Sequence, residues 1–219
     1  MTTEHVRRLL VETRVLLLDF DGPVCSVFAG LPAPVVADRL RNTLNRPLPS
    51  DVEATTDPFD VLKYAATIST SEADRIEQEL RNHEVEAVHT ARPTPGAHDL
   101  IRAWKATGRQ LAIVSNNSRA AITTYLSLHN LSTAIDTISA RETSNVAQLK
   151  PDPYLVSNAV KMCRAHPSAC TLIGDSPTDI EAAHTAGTLA IGYIRTPSEG
   201  EPLRRRKPGA IVTTLPSLK

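Results

Sequence analysis

The sequence predicts an α/β fold: a parallel sheet with helices on both faces, interrupted early by an all-helical insert. Three observations carry that expectation. Apolar runs of strand length recur, bounded by turn residues, and they are continuous rather than alternating, as in strands covered on both faces. From residue 95 onward these runs alternate with helical patterns, as parallel strands joined by crossovers do. Residues 25 to 91 hold no strong strand run and read as helices alone.

The first strand is VLLLD, 15 to 19. The insert follows as PAPVVADRLRNTLN, PFDVLKYAATI and SEADRIEQELRNHEVEAVHTA, separated by Pro, Thr, Ser and Asp. Pro93 and Pro95 make a return hinge. Residues 96 to 107 place Leu100, Ile101 and Trp104 on one helical face, and Gly108 is the stop. QLAIVS (110 to 115) is the second strand, followed by a helix from Ser118 to Leu128. DTISA (136 to 140) is a weaker strand, and Pro153 sits in the first turn of a helix reaching Arg164. CTLIGD (170 to 175) is a strand, and Pro177 to Ala186 is a helix stopped by Gly187. LAIGYI (189 to 194) and AIVTT (210 to 214) complete the sheet.

A length of 219 residues suits one large domain, or a medium one carrying a small second one. The 41% apolar fraction supports a core, and with only 4% aromatics that core is aliphatic and alanine-rich. Lysine plus arginine number 24, as do the acids, so the zero net charge recommends neither nucleic acid nor an anionic membrane as partner. Cys25, Cys163 and Cys170 lack paired metal-ligand spacing, and their odd number points to a reducing compartment. Glu12 and Arg14 interrupt the N-terminal apolar run, unlike a signal peptide. No stretch approaches the roughly 20 apolar residues that span a bilayer. The expectation is a soluble cytoplasmic protein. The basic run Arg204 to Lys207 reads as a solvated loop.

Ligands of a parallel sheet collect beyond the carboxyl ends of its strands. The first strand ends on Asp19 and Asp21, the second on Ser115, Asn116 and Asn117. CTLIGD ends on Asp175, with Asp179 one helical turn further on, and Lys150 precedes Pro151 at another helix start. Three acids in one crevice repel one another unless a cation holds them, and hard oxygen ligands suit Mg²⁺. Such a metal also admits a phosphate dianion. Ser115 offers a hydroxyl, the next helix start offers backbone N–H groups, and Lys150 offers positive charge. The paired carboxylates can then divide the work. One attacks phosphorus. The other protonates the leaving oxygen and later deprotonates water.

DFDGPV, IVSNNS, LKPDP and LIGDSPTD together resemble the four motifs of the haloacid dehalogenase-like hydrolase superfamily, in its order and spacing. The resemblance spans nearly the whole chain and is closest to the phosphoglycolate phosphatase-like members. It implies a Rossmann-like core, residues 1–24 and 92–219, with a helical C1-type cap, residues 25–91. It implies that Asp19 is the nucleophile and Asp21 the acid/base. Ser115, with Asn116 beside it, would bind phosphate together with Lys150. Asp19, Asp21 (by its carbonyl) and Asp175 would hold Mg²⁺, and Asp179 would be a supporting acid. Pro23 departs from the Thr or Val many members carry after the first motif. Asp21 favours phosphoryl chemistry, since the haloalkanoate dehalogenases lack an acid there.

The expected function is thus a Mg²⁺-dependent phosphatase acting on a small phosphorylated metabolite. Two alternatives stay open: a phosphomutase or phosphotransferase using the same phosphoenzyme, and a non-catalytic module that merely accepts phosphate on Asp19. Phe28, Phe59, Lys63 and Tyr64 are candidates for lining the crevice, and Cys25 for a small buried residue beside it.

Overall fold

The computed structural model describes residues 3–196 and 200–215. In chain order the elements begin with α1 (Thr3–Glu12), β1 (Val15–Leu18) and β2 (Cys25–Ser26). Four helices follow: α2 (Ala33–Leu44), α3 (Ser50–Ala54), α4 (Pro58–Ile68) and α5 (Thr70–Val88). Then come β3 (Arg92–Pro93), α6 (Ala97–Ala106), β4 (Gln110–Ser118), α7 (Arg119–Leu128) and β5 (Thr137–Arg141). The chain continues with α8 (Tyr154–Met162), β6 (Cys170–Gly174), α9 (Pro177–Thr185), β7 (Leu189–Tyr193), α10 (Gly200–Arg205) and β8 (Ala210–Val212). Six parallel strands form one sheet in the order β5-β4-β1-β6-β7-β8, a Rossmann-like α/β core. The strand that delivers Asp19 therefore lies inside the sheet, between those that deliver Ser115 and Asp175.

Alternation along the buried strands sets the two faces. Leu16, Leu18, Leu111 and Ile113 join one apolar cluster with Ile101, Trp104, Ile122 and Tyr125. Val15, Leu17, Ala112 and Val114 join the other, with Leu155, Val156, Leu172 and Ile180. Each fully buried Leu or Ile stabilises the fold by about 1.5–3 kcal/mol. The first cluster does not stop at the sheet: Val36, Leu40, Leu62, Ile76 and Leu80 of the insert belong to it.

Helix ends follow their capping chemistry. Asp57, Ser69 and Ser118 accept backbone N–H bonds at the starts of α4, α5 and α7. Three features differ from the sequence expectation. Helix α1 was not foreseen, although Val6 and Leu10 recur at helical spacing and are buried. At the base of the insert the chain pairs as a two-strand antiparallel ribbon, Cys25 with Pro93 and Ser26 with Arg92, where only a hinge was expected. Arg204 and Arg205 lie in α10 rather than a loop, with Arg205 paired to Glu201 one turn back and Arg206 to Glu181. No helix among the described residues is long and apolar enough to cross a membrane.

Candidate active site

Beyond β1 the pairing continues for one residue, with Asp19 N–H donating to the Ile173 carbonyl (2.9 Å). The Asp19 side chain thereby arrives at the carboxyl edge of the sheet, buried. Its Oδ1 accepts from Phe20 N–H (2.7 Å) and from Lys150 Nζ (2.8 Å). Its Oδ2 accepts from no described residue. The chain then turns at Gly22, whose φ of +109° lies in the left-handed region. A Cβ there would sit 2.0 Å from Asp175 Oδ2, so the loop approaches that carboxylate more closely than any side chain allows. The turn brings Asp21 back, and its Oδ1 accepts from Val27 N–H (2.9 Å). Pro23 and Cys25 are buried in this loop, and burial with the nearby Asp21 and Asp19 charges pushes the Cys25 thiol pKa up.

Ser115 lies at a register shift between β4 and β5, so β4 bulges and runs on to Ser118 where the sequence suggested an end at 115. Its hydroxyl donates to Asn117 Oδ1 (3.2 Å). The Asn116 side chain is spent on the Lys150 backbone: Oδ1 accepts from Lys150 N–H (2.8 Å) and Nδ2 donates to Lys150 O (3.3 Å). Asn116 thus fixes the loop that carries Lys150. The Lys150–Pro151 peptide is cis. Lys150 Nζ donates to Val114 O (3.2 Å), Asp19 and Asp179.

Asp179 is fully buried, and both of its oxygens are engaged. Oδ1 takes Lys150, while Oδ2 takes Ser176 N–H (3.0 Å) and Ser176 Oγ (2.7 Å) in a capping box that starts α9. Asp175 is the more open acid, and Arg195 Nη2 stands 3.8 Å from its Oδ2 at the rim.

Asp19, Asp175 and Asp179 each offer an oxygen within 4.8 Å of the others. Burial and the Asp179 charge raise Asp19 to about 7, against the pull of Lys150. Burial and the Asp19, Asp179 and Asp21 charges raise Asp175 to about 8. Burial raises Asp21 too. Burial pulls Lys150 down, and Asp179 and Asp19 more than reverse that, holding it charged. Three converging carboxylates, of which Lys150 pairs with Asp19 and Asp179, leave a negative excess. All-oxygen donors with a negative excess fit a hard divalent cation such as Mg²⁺. Asp19 and Asp175 could hold such an ion, Asp179 having both oxygens engaged.

Phe28 and Phe59 are half-buried against the large apolar cluster. Lys63 is paired with Asp60, and Lys63 and Tyr64 line a groove with Asp51, Thr55 and Asp60 of the insert. Sequence reasoning missed Arg195 and a buried ionic seam: Arg141 of β5 pairs with both Glu77 and Glu84 of α5. A signal was present, since Glu77 and Glu84 fall among Ala73, Ile76, Leu80 and Ala87 on the buried face of α5.

A parallel α/β sheet with an internal strand that ends on a buried carboxylate, ringed by further acids, a lysine and a serine, is suited to phosphoryl chemistry. The sequence profile of the haloacid dehalogenase-like hydrolases matches residues 52–193. A phosphoglycolate phosphatase of Pseudomonas putida is 26% identical over 94% of this chain and 78% of its own length. That of Aquifex aeolicus is 28% identical, over 91% of this chain and 95% of its own. In structure, a β-phosphoglucomutase of Clostridium difficile superimposes with a TM-score of 0.70 at 18% identity, over 94% of this chain and 93% of that one. The chain belongs to the haloacid dehalogenase-like hydrolase family.

Proposed function

We propose that the protein is a Mg²⁺-dependent, cytoplasmic phosphatase that hydrolyses a small phosphorylated metabolite through a phosphoenzyme on Asp19. The observation that carries this reading is the convergence of Asp19, Asp175 and Asp179, with one buried lysine paired to Asp19 and Asp179. In this reading an Asp19 oxygen attacks phosphorus and the ester oxygen leaves with a proton from Asp21. Asp21 then takes a proton from water, which attacks the aspartyl phosphate and frees Asp19. The raised pKa of Asp21 supports its starting as the acid. Ser115 donates to a phosphate oxygen, with Asn116 beside it holding the Lys150 loop. Lys150 balances the charge that develops. Asp19, Asp175 and the Asp21 carbonyl would hold Mg²⁺, which when bound offsets the negative charge of the phosphate and the acids. Asp179 supports by locking Lys150 and the start of α9.

The reading includes a division into a core, residues 1–24 and 92–219, and a helical cap, residues 25–91, closing over the site. A small substrate follows from that cap. Phosphoglycolate, the substrate in the relatives' names, is the first to test, because the Arg195 guanidinium at the rim offers a partner to a second anionic group. Transfer to water is favoured over transfer to a sugar because relatives spanning most of the chain carry phosphatase names, whereas the likeness to the mutase is one of fold. The test is phosphate release from a panel of phosphorylated metabolites, with Mg²⁺ or EDTA, beside Asp19→Asn. Turnover that requires both Mg²⁺ and Asp19 is expected; undiminished turnover by the variant overturns the reading.

A further inference from the structure

We infer that Glu84, carried on the insert helix α5, is a positioning residue for the phosphate-binding loop Ser115 to Ser118; the inference rests on the site proposed above. Glu84 is fully buried and its carboxylate accepts three hydrogen bonds. Asn117 Nδ2 donates to Oε1 (3.1 Å); Ser118 N–H (2.9 Å) and Arg141 Nη2 (2.6 Å) donate to Oε2. Arg141 completes the grip, its Nε donating to the Asn116 carbonyl (3.0 Å). Three consecutive residues are therefore held by one ion pair: Asn116 by its carbonyl, Asn117 by its amide and Ser118 by its N–H.

This grip acts on the bulge that follows Ser115. A carboxylate is an acceptor only, so Glu84 fixes which end of the Asn117 amide faces it. Asn117 Oδ1 is thereby turned to receive the Ser115 hydroxyl, and Asn117 N–H donates back to Ser115 Oγ (3.3 Å). The Ser115 oxygen stays fixed while its proton can swing to an arriving phosphate oxygen. The same bulge sets Asn116, whose amide holds both backbone groups of Lys150. Glu84 thus shapes, from the insert, the loop that presents Ser115 and anchors Lys150. Seating the insert and forming the phosphate pocket become one event.

The test compares the parent with Glu84→Gln, Asn117→Asp and the double variant, reading KM, kcat, calorimetric binding of inorganic phosphate with Mg²⁺, and thermal melting. Glu84→Gln turns an amide donor toward a donor and is expected to raise KM and weaken phosphate binding by about tenfold. Pairing it with Asn117→Asp restores acceptor against donor and is expected to bring both back to within about threefold of the parent. Unchanged KM and phosphate binding, with only the melting temperature moved, overturn the inference, as does a double variant no better than the singles. If Glu84→Gln does not fold, Asn117→Ala carries the test, since it breaks the same chain and leaves the Glu84–Arg141 pair; unchanged phosphate binding then overturns it. A parent that binds phosphate but hydrolyses no ester sinks the phosphatase reading alone, and phosphate binding still decides the role of Glu84.

Discussion

Two buried ionic clusters flank the loop from Ser115 to Ser118, and they are balanced differently. At the insert seam, Arg141 meets Glu77 and Glu84, and Arg81 adds a second guanidinium on Glu77 (2.7 Å). Two carboxylates face two cations, and Glu84 also accepts from Asn117 and Ser118. At the strand ends, Asp19, Asp175 and Asp179 converge, with Lys150 paired to Asp19 and Asp179 and Arg195 beside Asp175 at the rim. The first cluster satisfies itself and fastens two parts of the fold. The second keeps a negative excess that its own residues do not cancel, and burial together with that excess raises the pKa values of Asp19 and Asp175. Self-satisfied charge marks a joint; charge left in excess marks a site.

The largest effect that tests this contrast is on turnover. Asp19→Asn is expected to lower phosphate release by roughly 10⁴- to 10⁶-fold while leaving the melting temperature no lower, measured by single-turnover assay and calorimetry. Next is the seam. Arg141→Met strands the buried Glu84 carboxylate and leaves Glu77 to Arg81 alone, and is expected to cost about 3–5 kcal/mol in denaturant unfolding; a cost under ~1 kcal/mol removes the contrast.

The excess-charge cluster should respond in the opposite sense. Asp19 and Asp175 lie near 7 and 8 in the fold, against about 4 in an unfolded chain. As pH rises the unfolded chain gives up these protons first. Their stabilising contribution is full below about pH 4 and is lost as pH climbs through 7 to 8. Metal-free protein should therefore melt lower at pH 8.5 than at pH 5.5, and Mg²⁺ should flatten that slope. Asp175→Asn should flatten it without metal, adding about 1 kcal/mol at high pH. A slope undiminished in the variant breaks the comparison. The smallest effect is at the rim: Arg195→Ala should raise KM for a carboxylate-bearing phosphate by about tenfold, with little change for a neutral ester.

The strand ends were legible because chemistry and topology coincide there. Asp19, Ser115 and Asp175 follow continuous apolar runs, and parallel pairing brings such ends together. The jobs of Asn116 and Asn117 were not legible, since nothing in SNNS says that one amide turns to the Lys150 backbone and the other to an insert helix. Helix α5 was foreseen as a helix, but its acids on the apolar face went unread. Buried carboxylates become interpretable only once the partner guanidinium, 57 residues on from Glu84, is seen beside them. The β2–β3 ribbon, two residues per strand, is too short to leave a periodic pattern.

That ribbon has a consequence for how the molecule can change. Ser26 and Arg92 face each other across it, so the segment between them leaves and rejoins the sheet domain at one place. Paired residues of antiparallel strands sit about 4.5–5.5 Å apart, a gap that a tight turn spans. Topologically the segment is a cassette: it can be exchanged for another without rerouting a single strand. Its underside is not so portable, because Val36, Leu40 and Leu80 pack in one apolar body with Phe20 and Val24. A replacement must arrive with a matching oily face, and that requirement, rather than chain connectivity, limits which cassettes this scaffold can accept.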